Sequence, residues 1–377
     1  MEKIGGWGAG GRENTGGRGV GLPDSSRWST VPAMKGHYAI PVSILLFAFA
    51  VLPVHAIIGI TNQMQLGNPS GATADTNNHN HFLIQRTVEA IDYSDNLREP
   101  NWASWDLTAS DVGSSGRGDF LTDTNLPPNF YWVKTADYTH SGFDRGHMCP
   151  SADRTDNVTD NDLVFRMSNI VPQAPDNNQG PWENLETYCR TLAQAGNELL
   201  ITCGPNGFTG ARINTNGPVL IPSYTWKIAV VVTNGTNMAV DRITTLTRVI
   251  AVNVPNIAGI RSIPWTNYLV SVNQIQTNTG FTFFTALPSY VASVLRAKID
   301  GQPTPVVAPP LSVSITNEHD IIFSWPVAAT GFVLQQNGNL NTTNWTTCGG
   351  TVSSNATTIT VTIPSPAGNN FFRLIYQ

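Results

Sequence analysis

A proline-rich break sets the gross architecture of this chain. The run Gly301-Gln302-Pro303-Thr304-Pro305 through Pro309-Pro310 lacks the backbone donors that a helix or a central strand requires. Residues 301–310 therefore read as a stiff, extended linker. The two sides of this break follow different rules. Beyond it, residues 311–377 alternate apolar and polar side chains in short runs. They are Leu311-Ser312-Val313-Ser314-Ile315, Ile321-Ile322-Phe323-Ser324-Trp325, Phe332-Val333-Leu334-Gln335, Thr357-Thr358-Ile359-Thr360-Val361-Thr362-Ile363 and Phe371-Phe372-Arg373-Leu374. Asn/Gly turns separate these runs, which is the pattern of a small all-β sandwich. Before the break, residues 81–300 mix strand-like and helix-like periods. They close on Leu287-Pro288-Ser289-Tyr290-Val291-Ala292-Ser293-Val294-Leu295, whose apolar positions fall at helical spacing. The expected class is α+β with a separate β tail.

The N-terminal residues carry a different signal. Residues 1–33 are rich in Gly and Arg without apolar periodicity, and read as a disordered or spurious extension. Residues 34–56 have the layout of a secretory signal peptide. Met34-Lys35 opens it, an apolar run lies between Pro41 and Pro53, and Val54-His55-Ala56 is a small-residue cleavage site. That run is about half the ~20 residues a membrane span needs, so no stable membrane anchor is expected. The protein is expected to be secreted or periplasmic. Residues 57–80 read as a polar leader.

Composition narrows the range of functions. The net charge is −5 and charged residues make up only 12% of the chain. A protein that grips nucleic acid over its whole surface would be basic. The balance here fits instead an enzyme with a local basic cleft. The four cysteines, Cys149, Cys189, Cys203 and Cys348, contain no CxxC pair, which argues against a zinc ribbon. In an exported protein they allow one disulfide, with the pairing open.

Chemistry-bearing residues gather in the central region. They are Gly142-Phe143-Asp144-Arg145-Gly146-His147-Met148, Met167-Ser168-Asn169-Ile170-Val171-Pro172-Gln173, Asn177-Asn178-Gln179-Gly180-Pro181-Trp182-Glu183-Asn184-Leu185-Glu186, and Arg117 in a Gly/Ser loop. Phosphodiester hydrolysis needs a base for water and positive charge on the phosphoryl and leaving oxygens. A neutral imidazole suits the first need. A hard divalent cation on oxygen ligands suits the second, and Mg²⁺ requires only one or two from the protein. An arginine adds a bidentate grip on phosphate. Gly146 is expected to clear room for the substrate backbone, and Asp144 to pair with Arg145. Gly180-Pro181 reads as a helix start. Asn178 and Glu186 would then lie about 80° apart round a continuous helix and ~12 Å along it, so an irregular first turn is the easier route to a shared ion.

In this order and spacing the segments resemble the DNA/RNA non-specific endonuclease family, the ββα-metal nucleases. The resemblance rests on Asp144-Arg145-Gly146-His147 with Pro150-Ser151-Ala152-Asp153-Arg154 after it, then Ser168 to Gln173, then Asn177 to Glu186. It extends over about residues 80–298. It implies a ββα-metal nuclease domain with a central antiparallel sheet. In that reading His147 is the general base and Asn178 the direct Mg²⁺ ligand, with Mn²⁺ as an alternative ion. Glu186 holds water of the ion's hydration shell, Asn169 orients the site, and Arg117 and Arg145 contact phosphate. Substrates would be DNA and RNA, held by the phosphate backbone and cut with little sequence preference to leave 5′-phosphates. Monomer and homodimer stay open. The tail resembles the fibronectin-like modules of exported proteins.

Blander readings stand beside these. A lone His147 would be a buried core histidine, and isolated Asn169 and Asn178 would be turn residues. Glu186 could be a solvated helix face, and Arg117 a solvated arginine. His79 and His81 read as decoration of a mobile Asn-rich loop. Trp182 is expected in the core, and Arg154, Arg166 and Lys227 are candidates for a basic rim, with plain surface as the alternative for each. Two rivals to the nuclease reading are a same-fold phosphodiesterase acting on nucleotide derivatives and an inactive nuclease-like binding protein.

Overall fold

The computed structural model describes residues 62–214, 217–366, 368 and 370–377. The N-terminal extension and the signal peptide expected over 1–56 lie outside the described residues. The central region contains, in chain order, β1 (Phe82–Gln85), β2 (Ala90–Ser94), β3 (Glu99–Leu107), β4 (Asp144–His147), α1 (Val158–Val164), β5 (Ile170–Gln173), α2 (Pro175–Asn177), α3 (Glu183–Gln194), β6 (Asn197–Asn206), β7 (Tyr224–Thr233), β8 (Arg248–Pro255), α4 (Val272–Thr279) and α5 (Ser289–Ala297). Six strands form one antiparallel sheet in the order β1-β2-β3-β6-β7-β8. β4 and β5 pair separately, with His147 opposite Ile170.

Both faces of the sheet are covered, which is why its inner strands read as nearly unbroken apolar runs. Successive side chains of a strand point to opposite faces. In β3, Ala103, Trp105 and Leu107 join one cluster and Trp102 the other; in β8, Ile250, Val252 and Val254 oppose Val249 and Ala251. The first face receives Trp182 together with Leu185, Cys189 and Ala193 of α3, and Met148 and Cys149 just after β4. The second receives Val272 and Ile275 of α4 and Val291, Ala292 and Leu295 of α5. The sheet is thus a rigid floor that holds β4 and α3 on one side.

The polar leader expected over 57–80 is part of this body where it is described. Met64, Leu66 and Ala72 are buried in the second cluster. Three apolar side chains at irregular spacing in a polar stretch give no period to read. His79 and His81 do lie in the loop before β1, but each is tied to a carboxylate. His79 Nδ1 lies 2.9 Å from Asp95 Oδ2, and its ring stacks on Phe130; His81 Nδ1 lies 2.9 Å from Asp92 Oδ2. The four cysteines are separate buried thiols, so the expected disulfide is not formed.

The tail forms β9 (Ser312–Ile315), β10 (Ile321–Pro326), β11 (Phe332–Asn337), β12 (Thr346–Thr347), β13 (Thr351–Ser354), β14 (Thr358–Ile363) and β15 (Phe371–Tyr376). They make a sheet ordered β13-β14-β10-β9 and a second ordered β12-β11-β15. Phe323, Trp325, Leu334 and Val361 fill the space between them. Tyr290 and Val294 of α5 join the same cluster. No helix among the described residues is long and apolar enough to cross a membrane.

Candidate active site

A cleft of about 580 Å³ opens above the β4/α3 layer, and Arg117, Arg145, His147, Asn178 and Glu186 all line it. Five of the six expected site residues thus meet in one place. The sixth, Asn169, does not reach the cleft. It is fully buried, takes the Cys149 N–H on its Oδ1 at 3.0 Å, and donates Nδ2 to the carbonyls of Cys149 (2.8 Å) and Val164 (2.9 Å). Its backbone carbonyl accepts from Met148 at 3.0 Å. Asn169 therefore pins the chain that leaves His147, and acts on the site through that strand.

His147 is held by rings. Phe120 and Phe165 have centroids 5.1 and 4.7 Å from the imidazole, the latter edge-on. Only 9% of the residue is exposed, and Nε2 is buried without a hydrogen-bond partner. Burial, then the charges of Arg117 and Arg145, pull its pKa down to about 3, so the ring is neutral at ordinary pH. Both arginines lie against the same aromatic floor. Arg145 Cζ is 4.5 Å from the Phe120 ring centre and Arg117 Cζ 5.2 Å from that of Phe165. Both are exposed, and neither has a carboxylate partner among the described residues. Gly146 faces the other way. A Cβ there would lie 2.7 Å from Gln173 Cβ, so the close approach that requires glycine is to Gln173 and not to substrate.

Asp144 partners Asn178 and not Arg145. Its Oδ2 accepts from Asn178 Nδ2 at 2.9 Å and from Gln179 Nε2 at 2.7 Å. A carboxylate can only accept, so this contact fixes which way the Asn178 amide points and leaves Oδ1 free. Gln179 is steadied in turn by Arg261, which is ion-paired to Asp176. The helix expected from Gly180-Pro181 starts later, at Glu183, because Gly180 leaves helical geometry (φ −127°, ψ −114°). A Cβ on Gly180 would lie 2.6 Å from the Arg261 carbonyl oxygen. This break is the irregular turn that lets Asn178 and Glu186 serve one cleft.

Glu186 is anchored from below. Lys227 of β7, 1% exposed, donates Nζ to Glu186 Oε1 at 3.0 Å and sits 4.1 Å from the Trp182 ring centre. Burial raises the Glu186 pKa, while Lys227 opposes that shift. Lys227 is therefore no part of a basic rim. Nor is Arg154, which is buried and donates to the carbonyls of Val88, Asp106 and Asp153. Arg190, not singled out from sequence, does line the cleft, with Nη1 2.9 Å from Asp153 Oδ1. Its signal was its place one helical turn beyond Glu186. Lys227 could have been found as a lone cation inside a strand buried on both faces.

The donors fit a hard cation. Asn178 Oδ1 and the Glu186 oxygen not bonded to Lys227 are both oxygen ligands at the cleft, the type that Mg²⁺ accepts while keeping most of its water. Among the described residues no three His, Cys, Asp or Glu side chains converge to form an all-protein cage.

The model of the DNA/RNA non-specific endonuclease family matches residues 67–290. A nuclease of Nostoc sp. (strain PCC 7120 / SAG 25.82 / UTEX 2576) is 40% identical over 242 residues, covering 64% of this chain and 87% of the relative. The mitochondrial nuclease EXOG of Homo sapiens is 28% identical over 214 residues, covering 52% of this chain and 55% of the relative. The structure of an EndoG/EndoGI complex is similar in fold. It has a TM-score of 0.50 and 23% identity, and the match covers 60% of this chain and 91% of that one.

Proposed function

Because the chain belongs to the DNA/RNA non-specific endonuclease family, we propose that it is a secreted, Mg²⁺-dependent enzyme that hydrolyses phosphodiester bonds of both DNA and RNA and leaves 5′-phosphates. The observation that carries this reading is the convergence of a buried neutral imidazole, two unpaired arginines and two free oxygen donors on one cleft. Arg117 and Arg145 grip the phosphate and set it in front of His147. His147, whose Nε2 is buried, takes the proton of the attacking water. A base with so low a pKa is a poor proton acceptor in the empty site. Burial is the larger cause and stays, but the incoming phosphate offsets the two guanidinium charges that add to it, so substrate binding itself strengthens the base.

Asn178 Oδ1 and the free Glu186 oxygen would hold Mg²⁺ and its hydration water. Bound there, the ion supplies positive charge to the phosphoryl oxygens and the departing 3′-oxygen. Grip and chemistry both address the backbone, which accounts for the expected indifference to base sequence. Export is supported by the apolar run and cleavage pattern that end at Ala56.

Plasmid nicking and RNA cleavage with Mg²⁺ or EDTA, run beside His147→Ala, test the reading. Metal-dependent cutting lost in the variant is the expected result. An intact protein that cuts neither substrate with Mg²⁺ would sink it, and would favour a silent binding protein; cutting of nucleotide diesters alone would favour the small-substrate rival. Export is tested by expressing the full chain in a bacterial host, where the protein recovered outside the cytoplasm should begin at Ile57.

A further inference from the structure

A second cleft, of about 560 Å³, is lined by Arg98, Tyr131, Arg212, Gly217 and Pro218. Two distant segments build it. The Leu220 N–H donates to the Leu97 carbonyl at 3.2 Å, beside Arg98, and Leu220 pairs with Arg212 in an antiparallel bridge. The Arg98 guanidinium lies over the Tyr131 ring, with Cζ 4.1 Å from its centre. Arg212 is tied by Nη1 to the Pro218 carbonyl at 2.6 Å. Both side chains are half-buried, so much of the cost of ordering them is already met.

Neither cation is neutralised. Among the described residues no carboxylate is ion-paired with Arg98 or Arg212, and Arg98 Nε is buried without an acceptor. Among the described residues the acids nearby form no ion pair with either arginine, although Asp137 bonds the hydroxyl of the cleft-lining Tyr131. Asp95 pairs with His79 and accepts the Tyr131 N–H at 2.7 Å, and Asp137 accepts the Tyr131 hydroxyl and the Lys134 N–H. Glu99, next in the chain to Arg98, is fully buried, burial raises its carboxyl pKa, and neither of its oxygens reaches a hydrogen-bond partner, the Arg98 guanidinium included.

The position of this cleft matters as much as its charge. Val133, Tyr138, Met167, Ile170, Ile213 and Val219 form one small apolar cluster, and both Phe120 and Tyr131 pack against it. Phe120 lines the catalytic cleft and Tyr131 lines the second one, so the two clefts flank the same cluster. We propose that Arg98 and Arg212 form a second phosphate subsite, which holds the backbone of the same nucleic-acid strand some nucleotides away from the bond being cut. This deepens the nuclease reading and rests on it for the identity of the strand.

The experiment compares the intact protein with Arg98→Gln/Arg212→Gln, and with Arg98→Lys/Arg212→Lys as a charge-preserving control. KM for long single-stranded DNA is measured against salt, and a p-nitrophenyl diester of thymidine 5′-phosphate serves as a substrate too short to span both clefts. The glutamine variant should raise KM for the long strand several-fold and flatten the log–log salt dependence by about 1, the loss of roughly one phosphate contact. Its kcat on the short diester should stay at the wild-type value, and the lysine variant should recover most of the salt slope. A glutamine variant with wild-type thermal midpoint, KM and salt slope overturns the proposal. If the intact protein cuts nothing, fluorescence anisotropy with a labelled 20-nucleotide strand in EDTA tests the subsite alone. Weaker binding in the glutamine variant supports it, and equal binding overturns it.

Discussion

Asp144 and Asn178 meet across 34 residues of chain, with the carboxylate accepting the amide Nδ2 at 2.9 Å. The first residue of β4 thereby decides which atom of Asn178 faces the cleft. Asp144→Ala removes that constraint and frees the amide to rotate. The apparent Mg²⁺ affinity, read from cleavage rate against Mg²⁺ concentration, should weaken by about 10- to 100-fold, the usual cost of losing a group that orients a metal ligand. An unchanged Mg²⁺ titration would show that the amide is held by other means.

His147 sets two pH limits. In the unfolded chain an imidazole titrates near 6.5, and in the folded protein this one titrates at about 3. Its contribution to stability is therefore complete above about pH 6.5 and is lost as pH falls toward 3, at no more than about 1.4 kcal/mol per pH unit. The acid limb of kcat/KM should lie well below pH 6. The acid limb of kcat should lie higher, because bound phosphate offsets Arg117 and Arg145. Coincident limbs would count against that electrostatic coupling. His147→Gln should flatten the stability difference between pH 7 and pH 5, measured by urea unfolding.

Lys227 and Glu186 form a pair that is costly to break from one side. Lys227→Ala leaves a largely buried carboxylate without its cation and should cost about 3–5 kcal/mol in urea unfolding. Lys227→Met with Glu186→Gln removes both charges, keeps the packing against Trp182, and should recover most of that loss without recovering activity. A double variant no more stable than the single one would place the cost in packing.

Gly146→Ala tests the close approach beneath His147. The new methyl group meets Gln173, whose Cβ would be 2.7 Å away, so the β4/β5 pair must open. A loss of about 1–3 kcal/mol is expected, the range for overpacking a tight interior, together with reduced activity. Gln173→Ala in the same chain should return part of both. If it returns neither, the contact is not the cause.

The fold and most of the site were legible because they rest on short-range pattern. Alternation marked five of the seven tail strands, missing the short Thr346–Thr347 and Thr351–Ser354, and helical spacing marked α5. Motif spacing placed His147, Asn178 and Glu186 together. What escaped was set by partners distant in sequence. Asp144 looks like the neighbour of Arg145 until β4 is laid beside the turn at Gly180. Lys227 looks like a surface cation until β7 proves to be covered on both faces. His79 and His81 look mobile until Asp92 and Asp95 are brought against them. In each case local composition pointed to solvent, and a contact made by folding decided otherwise.

Helix α5 has two loyalties: Val291, Ala292 and Leu295 belong to the nuclease interior, while Tyr290 and Val294 belong to the tail. A pull on the C-terminus is therefore transmitted through one helix into the sheet beneath the active site, instead of being absorbed by the proline-rich connection. If the tail is attached to a surface, the cleft is presented at a set angle, like a blade fixed to its handle. Clipping the chain at residues 301–310 would expose the two side chains that the tail covers on α5 and loosen the enzyme it leaves behind.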